Sequence, residues 1–263
     1  MFRWAGGKSW LLPHIQPLIP TEFNNYHEPF LGGGSVFLRL NHKGTAFLSD
    51  INADLMNAYM QIKNHLSDLY PILMKFRNSE KDYYKIRQMR PKDKLGMAAR
   101  FIYLNRTCFN GLYRVNLKGE FNVPYGRKNY KTLFDYEHFR ELSKRLKGSI
   151  IRCMHFNETY SSIQSNDLVF IDPPYIMLGN SNGFIKYNQK LFSWGDQIHL
   201  YNYIKYIKQN GGYYILTNSN TKEVRKLFTD LDYPMTFNRK CSISGSKGER
   251  SKYEELVFTN LEY

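Results

Sequence analysis

Four consecutive residues of this chain, Asp172-Pro173-Pro174-Tyr175, combine a carboxylate, a backbone carbonyl and an aromatic face. The chemistry they suit is the activation of an aromatic amino group. The lone pair of such an amino group, as on adenine, is delocalised into the ring, so the nitrogen is a poor nucleophile. The Asp172 carboxylate and the Pro173 carbonyl can each accept one amino hydrogen and favour the pyramidal, reactive form, while the prolines fix the backbone and remove competing N–H donors. Tyr175 supplies a surface on which a base can stack. The segment follows an apolar run, Asp167-Leu168-Val169-Phe170-Ile171, which reads as a strand. Ligands of open α/β sheets bind outside the carboxyl ends of such strands. A proline-stiffened turn without chemistry is the plainer reading, and a four-residue match at a strand end weighs against it.

A second constellation is Pro29-Phe30-Leu31-Gly32-Gly33-Gly34-Ser35, where a strand should become a helix. Glycines there permit a tight turn and close approach of a cofactor, although such turns also serve simple packing. The third glycine of the dinucleotide fingerprint is missing, which counts against a nicotinamide cofactor. Asp50 ends the next strand, at the roughly 20-residue spacing where an acidic side chain can accept both hydroxyls of a ribose. It could equally cap a helix beginning within Ile51-Asn52-Ala53-Asp54-Leu55.

These groups need elements to position them. Tyr26 to Phe30, Thr45 to Ser49, Ser149 to Cys153, Asp167 to Ile171 and Gly212 to Leu216 read as strands, with helix-length patterns at Ser35 to Leu40 and Gln197 to Gln209. Strands alternating with helices predict a mostly parallel α/β sheet. Segments around Met235 to Asn238 and Glu255 to Asn260 predict an antiparallel edge hairpin, joined by a flexible loop over Ser242 to Arg250. Leu55 to Gly148 breaks the alternation. It is helical in pattern, and its 20 lysines and arginines against 8 acidic residues carry +12 of the net +14. Phosphate contact is one use for such a segment, and a solvated helical surface is the other. Within it, Phe101 to Asn105, Asn110-Gly111 and Gly119 to Pro124 suggest a β-hairpin held out from a helical base.

Cys108, Cys153 and Cys241 are odd in number and widely spaced, fitting neither a disulfide framework nor a tetrahedral zinc site. None follows a proline or sits in a nucleophile motif, which argues against methylation of a cytosine carbon by way of a thiolate. The start of the chain has no apolar leader, and no run approaches the roughly 20 apolar residues of a membrane helix. The expectation is a soluble cytoplasmic protein without metal.

Taken in order, Trp4-Ala5-Gly6-Gly7-Lys8, Phe30-x-Gly32-x-Gly34, Asp50-Ile51-Asn52-x-Asp54-Leu55, Tyr103-Leu104-Asn105-Arg106, Phe109 to Arg114, Gly119 to Arg127 and Asp172 to Tyr175 resemble Dam-type DNA adenine methyltransferases, essentially end to end. The resemblance implies a Rossmann-like methyltransferase sheet from residues 1–54 and 149–263, with a DNA target-recognition domain inserted at 55–148. It implies S-adenosyl-methionine as cofactor, touched by Trp4, Ala5, Gly6, Lys8, Gly32, Gly34, Asp50 and Asp172, with Phe30 and Phe156 flanking its adenosine. Asp172, Pro173 and Tyr175 would hold an adenine flipped out of double-stranded DNA. Phe109 and Asn110 would fill the space it leaves, Leu112, Arg114 and Pro124 would contact base edges, and Arg3 would stand where the family has a base-reading cation. GATC is the family's usual target. Here Phe109 stands where tyrosine is common, Tyr113 replaces a smaller residue, and Arg127-Lys128 adds charge. The implied setting is the cytoplasm of a bacterial or phage-infected cell, on the nucleoid, as a monomer. Two alternatives remain at this point: an amino-methyltransferase acting on cytosine or RNA, and a non-catalytic DNA-binding protein on the same scaffold.

Overall fold

The computed structural model of the chain describes residues 2–116, 118–175, 192–240 and 252–262. Seven strands, β1 (Tyr26–Glu28), β2 (Ala46–Asp50), β3 (Ile150–Cys153), β4 (Leu168–Ile171), β5 (Tyr213–Ser219), β6 (Met235–Lys240) and β7 (Lys252–Thr259), form one sheet in the order β3-β2-β1-β4-β5-β7-β6. β2 pairs with β3, β1 with β4 and β4 with β5 in parallel, whereas β7 runs antiparallel to both β5 and β6. The five predicted strands and the antiparallel terminal pair are therefore present. The predicted loop over Ser242 to Arg250 lies outside the described residues. All four residues of β4 are buried, as expected of a parallel strand covered on both faces. Strand order runs one way from β1 through β2 to β3 and the other way from β4 to β5, so the carboxyl ends of β1 and β4 mark the switch point where open α/β sheets bind ligands.

The chain divides into two compact units, one of residues 1–16, 31–41 and 47–155, the other of 17–30, 42–46 and 156–263. The first holds helices α1 (Leu12–Ile15), α2 (Ala53–Asn64), α3 (Leu66–Met74), α4 (Glu80–Gln88), α5 (Lys94–Thr107) and α6 (Tyr136–Leu146). Asn52, Ser79, Asp93 and Asp135 cap α2, α4, α5 and α6, each side chain accepting a backbone N–H that the first turn would otherwise leave unpaired. α2 packs against α5 and α6, and α5 also against α3 and α4.

Two expectations change in this unit. Phe101 to Asn105 is not the first arm of a hairpin but the buried middle of α5. The Asp93 cap starts a helix that runs through these residues, and their burial between neighbouring helices overrides their strand-like composition. The hairpin is reduced to two isolated bridges, Cys108 with Tyr125 and Val115 with Phe121. Ser35 to Leu40 forms successive turns rather than a regular helix. Its bonds from Leu38 N–H to Gly34 O and Leu40 N–H to Val36 O have helical spacing, but Arg145 takes up the carbonyls of Phe37 and Leu40.

The second unit holds α7 (Trp194–Gln209) and α8 (Lys222–Phe228). α7 begins three residues before the predicted start, because Ser193 and Asp196 form a capping box. Its core joins Val169 and Ile171 of β4, Leu200, Ile204 and Ile207 of α7, and Leu256 and Phe258 of β7. At the amino end of β4, buried Asp167 accepts from His27 Nε2 at 2.8 Å, Asn25 N at 2.9 Å and Gln164 N at 2.8 Å. Just before β2, Gly44 lies so close to Asn24 that a Cβ would overlap the Asn24 carbonyl oxygen, which is backbone and cannot step aside. Gly44→Ala should therefore cost about 1–3 kcal/mol, read as a lower midpoint in denaturant.

Candidate active site

In the second unit, β4 delivers Asp172-Pro173-Pro174-Tyr175 directly at its carboxyl end. Asp172 is half-buried, and its Oδ1 accepts the Thr217 hydroxyl of β5 at 2.7 Å. The Tyr175 hydroxyl donates to Oε2 of Glu255 on β7 at 3.1 Å. Burial, together with the nearby charges of Asp172 and Glu255, pushes the Tyr175 phenol well above its ordinary value, so Tyr175 stays protonated and remains the donor. Beyond the neighbouring β1, Phe30 lies 5.2 Å from Phe156 and 5.8 Å from Phe192, ring centroid to ring centroid. Phe156 and Phe192 are buried and Phe30 is partly exposed, so Phe30 keeps part of its ring available.

In the first unit, the Gly32 N–H donates to Asp50 Oδ2 at 2.9 Å, and the Asn52 N–H donates to Asp50 Oδ1 at 2.9 Å. Asp50 thus does not cap α2; Asn52 does, through Leu55 N. Burial raises the Asp50 carboxyl above its ordinary range, opposed by the N–H groups of Asn52, Gly32 and Ile51. With three N–H donors on its roughly four acceptor sites, the carboxylate retains room for a further donor. A Cβ on Gly32, at φ +47°, would come within 2.7 Å of the Trp4 indole, and one on Gly34, at φ +63°, within 2.9 Å of the Tyr59 hydroxyl. These glycines therefore let Trp4 and Tyr59 pack against the turn. Lys8 is buried, its backbone N–H bonded to Ser35 Oγ at 3.0 Å and its ammonium to the Gly6 carbonyl at 2.8 Å. Ala5 and Gly6 are exposed.

The basic segment presents Phe109, Asn110, Leu112, Arg114, Pro124, Arg127 and Lys128 at the surface. Asn110 holds φ +54°, and Asn122 Oδ1 anchors Arg114 Nε at 2.7 Å. Arg3 is partly buried; Asn105 brackets its backbone, bonding Arg3 N at 3.0 Å and Arg3 O at 2.8 Å. Tyr113 stacks on Trp4 at 5.6 Å and donates to Asp54 at 2.9 Å. Sequence reasoning did not find roles for Thr217, Glu255, Phe192 or Tyr113. Thr217 and Glu255 lie 45 and 80 residues from their partners, and no local pattern links them. Burial pushes the Cys108 thiol up to about 11, which disfavours a thiolate there. Among the described residues, no cluster of His, Cys, Asp or Glu could hold a metal ion, and no helix is long and apolar enough to cross a membrane.

An open, mostly parallel sheet that ends its fourth strand in Asp-Pro-Pro-Tyr defines an α/β amino-group methyltransferase. Within that class the chain belongs to the D12 class N6 adenine-specific DNA methyltransferases, whose family model matches residues 4–240. It is 36% identical to the type II methyltransferase M1.LlaDCHI of Lactococcus lactis subsp. cremoris, over 98% of this chain and 94% of that protein. It is 35% identical to the type II methyltransferase M.MjaIII of Methanocaldococcus jannaschii, over 97% and 96%. The DNA adenine methylase of Haemophilus influenzae is 33% identical over 97% of this chain and 91% of its own length. Membership makes the chain an adenine-specific DNA methyltransferase that uses a methyl donor, and it selects adenine in DNA over the cytosine, RNA and non-catalytic alternatives.

Proposed function

We propose that this methyltransferase takes its methyl group from S-adenosyl-methionine and places it on the amino nitrogen of an adenine flipped out of a GATC duplex. The observation that carries the reading is Asp172, fixed at the carboxyl end of β4 beside the switch point, with Tyr175 held three residues on. Asp172 and the Pro173 carbonyl accept the two amino hydrogens, and Tyr175 stacks on the base. With its lone pair held on nitrogen by these two acceptors, the amino group would be ready to receive a methyl as the methyl–sulfur bond breaks, and one of its two hydrogens would then be given up as a proton to solvent. The cofactor supplies, when bound, a sulfonium methyl with a good leaving group. The residues fit its ribose: Asp50 keeps room for a hydroxyl donor beside its backbone N–H partners, and a Cβ on Gly6 would meet only the Lys8 ammonium at 3.8 Å, so the loop is open there. Trp4, Ala5, Gly32, Gly34, Phe30, Phe156 and Asp172 carry the remaining cofactor assignments by resemblance.

Residues 55–148 are the proposed recognition domain, and 1–54 with 149–263 the catalytic one. Leu112, Arg114 and Pro124 meet base edges, Phe109 and Asn110 occupy the gap left by the adenine, and Arg3, Arg127 and Lys128 add cationic contacts. An arginine can fork onto guanine O6 and N7, and losing such a pair costs about 1–3 kcal/mol of discrimination. Labelled methyl transfer to one duplex with a single GATC and to another with its adenine replaced tests the reading. Methyl-adenine only in the first duplex is the expected result. Transfer to both, with methyl-adenine elsewhere, would overturn the GATC assignment while leaving the chemistry standing. Arg114→Ala should lower the preference for GATC over near-cognate sites roughly 5- to 150-fold. An unchanged ratio would remove Arg114 from base reading.

A further inference from the structure

Thr217 and Glu255 lie on adjacent antiparallel strands. Glu255 pairs directly with Ser219, two residues beyond Thr217, so all three side chains project from one face of the sheet. Thr217 is fully buried and Glu255 is 3% exposed, so neither is placed to contact solvent-borne substrate. Their hydrogen bonds reach both ends of the Asp172 to Tyr175 segment, at 2.7 Å and 3.1 Å.

From this geometry we infer that Thr217 and Glu255 are positioning residues for amino-group methylation, Thr217 orienting the Asp172 carboxylate and Glu255 the Tyr175 ring. The inference rests on the reading of Asp172 and Tyr175 given above. The Thr217 hydroxyl has one hydrogen. It lies 2.7 Å from Asp172 Oδ1 against 3.5 Å from the Ile171 carbonyl, and although Thr217 also hydrogen-bonds with Tyr175, the charged carboxylate is the strongest acceptor of the three. A β-branched side chain in a packed interior has little rotational freedom, so the bond fixes the plane of the carboxylate as well as occupying one oxygen. That orientation sets the direction from which the carboxylate can meet an amino hydrogen. The Tyr175 side chain can choose among staggered rotamers about its Cα–Cβ bond, and a fixed acceptor at the far end of its ring narrows that choice. Glu255 supplies the acceptor from β7, whose pairing with β5 holds it in place. Such preorganisation acts on the rate of the chemical step more than on binding, because the oriented groups are used most fully in the transition state.

The test uses single-turnover methylation of unmethylated plasmid DNA with labelled S-adenosyl-methionine, together with dissociation constants for cofactor and for DNA. Plasmid DNA offers every short sequence, so the outcome does not depend on GATC. Thr217→Val keeps the shape and removes the donor; it should slow transfer on the order of 10- to 100-fold with both dissociation constants within about threefold. Thr217→Ser restores the donor and should recover most of the rate. Glu255→Gln keeps an acceptor and should retain more activity than Glu255→Leu. Cofactor binding reports that each variant is folded, and Thr217→Ala serves if the valine variant fails to fold. Wild-type rates in Thr217→Val and Glu255→Leu would overturn the inference, as would serine and valine variants that are equally slow. Asp172→Ala separates the two levels: if it transfers methyl normally, the site reading fails and the inference with it. If it is inactive while Thr217→Val and Glu255→Leu are unaffected, only the inference falls.

Discussion

Asp172→Ala is expected to lower methyl transfer by about 10³-fold or more, while duplex binding changes by no more than a few-fold. The size follows from what the carboxylate does. In the proposed mechanism it accepts an amino hydrogen in a half-buried site, and removing a single preorganised hydrogen-bonding group from such a centre costs about 10²–10³ in rate. The lost charge also faces the positive character that develops on the amino nitrogen as it attacks, which adds to the loss. DNA affinity depends mostly on phosphate contacts, and the +12 of net charge in residues 55–148 is untouched by the substitution. Single-turnover transfer and equilibrium duplex binding, measured on the same preparation, check both halves. A variant that methylates at the normal rate would show that the Asp-Pro-Pro-Tyr turn is a structural corner. A variant that loses both activities together would place Asp172 in folding or in DNA contact.

Asp167→Ala should lower stability by about 3–5 kcal/mol, since it leaves His27 and the N–H groups of Asn25 and Gln164 buried without their acceptor. For a chain of this size that is a fall in melting temperature of roughly 6–20 °C. The effect should depend on pH. Burial alone would raise the Asp167 carboxyl, but the hydrogen bond from His27 and those from Gln164 and Asn25 outweigh it and hold the group below its ordinary value. A carboxyl depressed in the folded state contributes stability above its unfolded value, about 3.9, and loses that contribution as the pH falls through the folded value. The stability gap between wild type and Asp167→Ala should therefore be full at pH 5–7 and shrink as the pH falls toward about 3. A gap that stays constant would mean that the carboxyl is not depressed.

Asp167 and Asp172 bracket the same short strand, and they show how differently two aspartates can be read from a sequence. Asp172 stands in a four-residue pattern whose chemistry is local: the carboxylate, the rigid backbone and the ring are chain neighbours. Asp167 was legible only as the edge of an apolar run, because His27, its main partner, lies 140 residues away. The same division runs through the fold. β1 (Tyr-His-Glu) and β3, with Arg152 and Cys153 exposed, leave only a partial mark, whereas β4 was readable because a parallel strand buried on both faces is apolar along its whole length. Phe101 to Asn105 carries a similar mark and is helical, since an apolar run packed among helices satisfies the same burial requirement with a different backbone. Asp50 was legible as a strand-end acceptor, yet the choice between ribose acceptor and helix cap depended on which backbone N–H groups reached it, and Asn52 took the cap.

The sequence by itself therefore determined the strands along the chain, the basic segment, the Asp-Pro-Pro-Tyr turn and the family. Each of these rests on residues close together in the chain or on summed composition. Tertiary structure alone decided which groups hold that turn. Thr217 meets Asp172 because β4 and β5 pair in parallel, and Glu255 meets Tyr175 because β7 adds to β5 in the opposite direction. It also decided that Gly32 is shaped around the Trp4 indole, and that Trp4 in turn stacks on Tyr113. Contacts of this kind are fixed by register and packing between distant segments, and side chains meeting across a sheet need share no pattern along the chain.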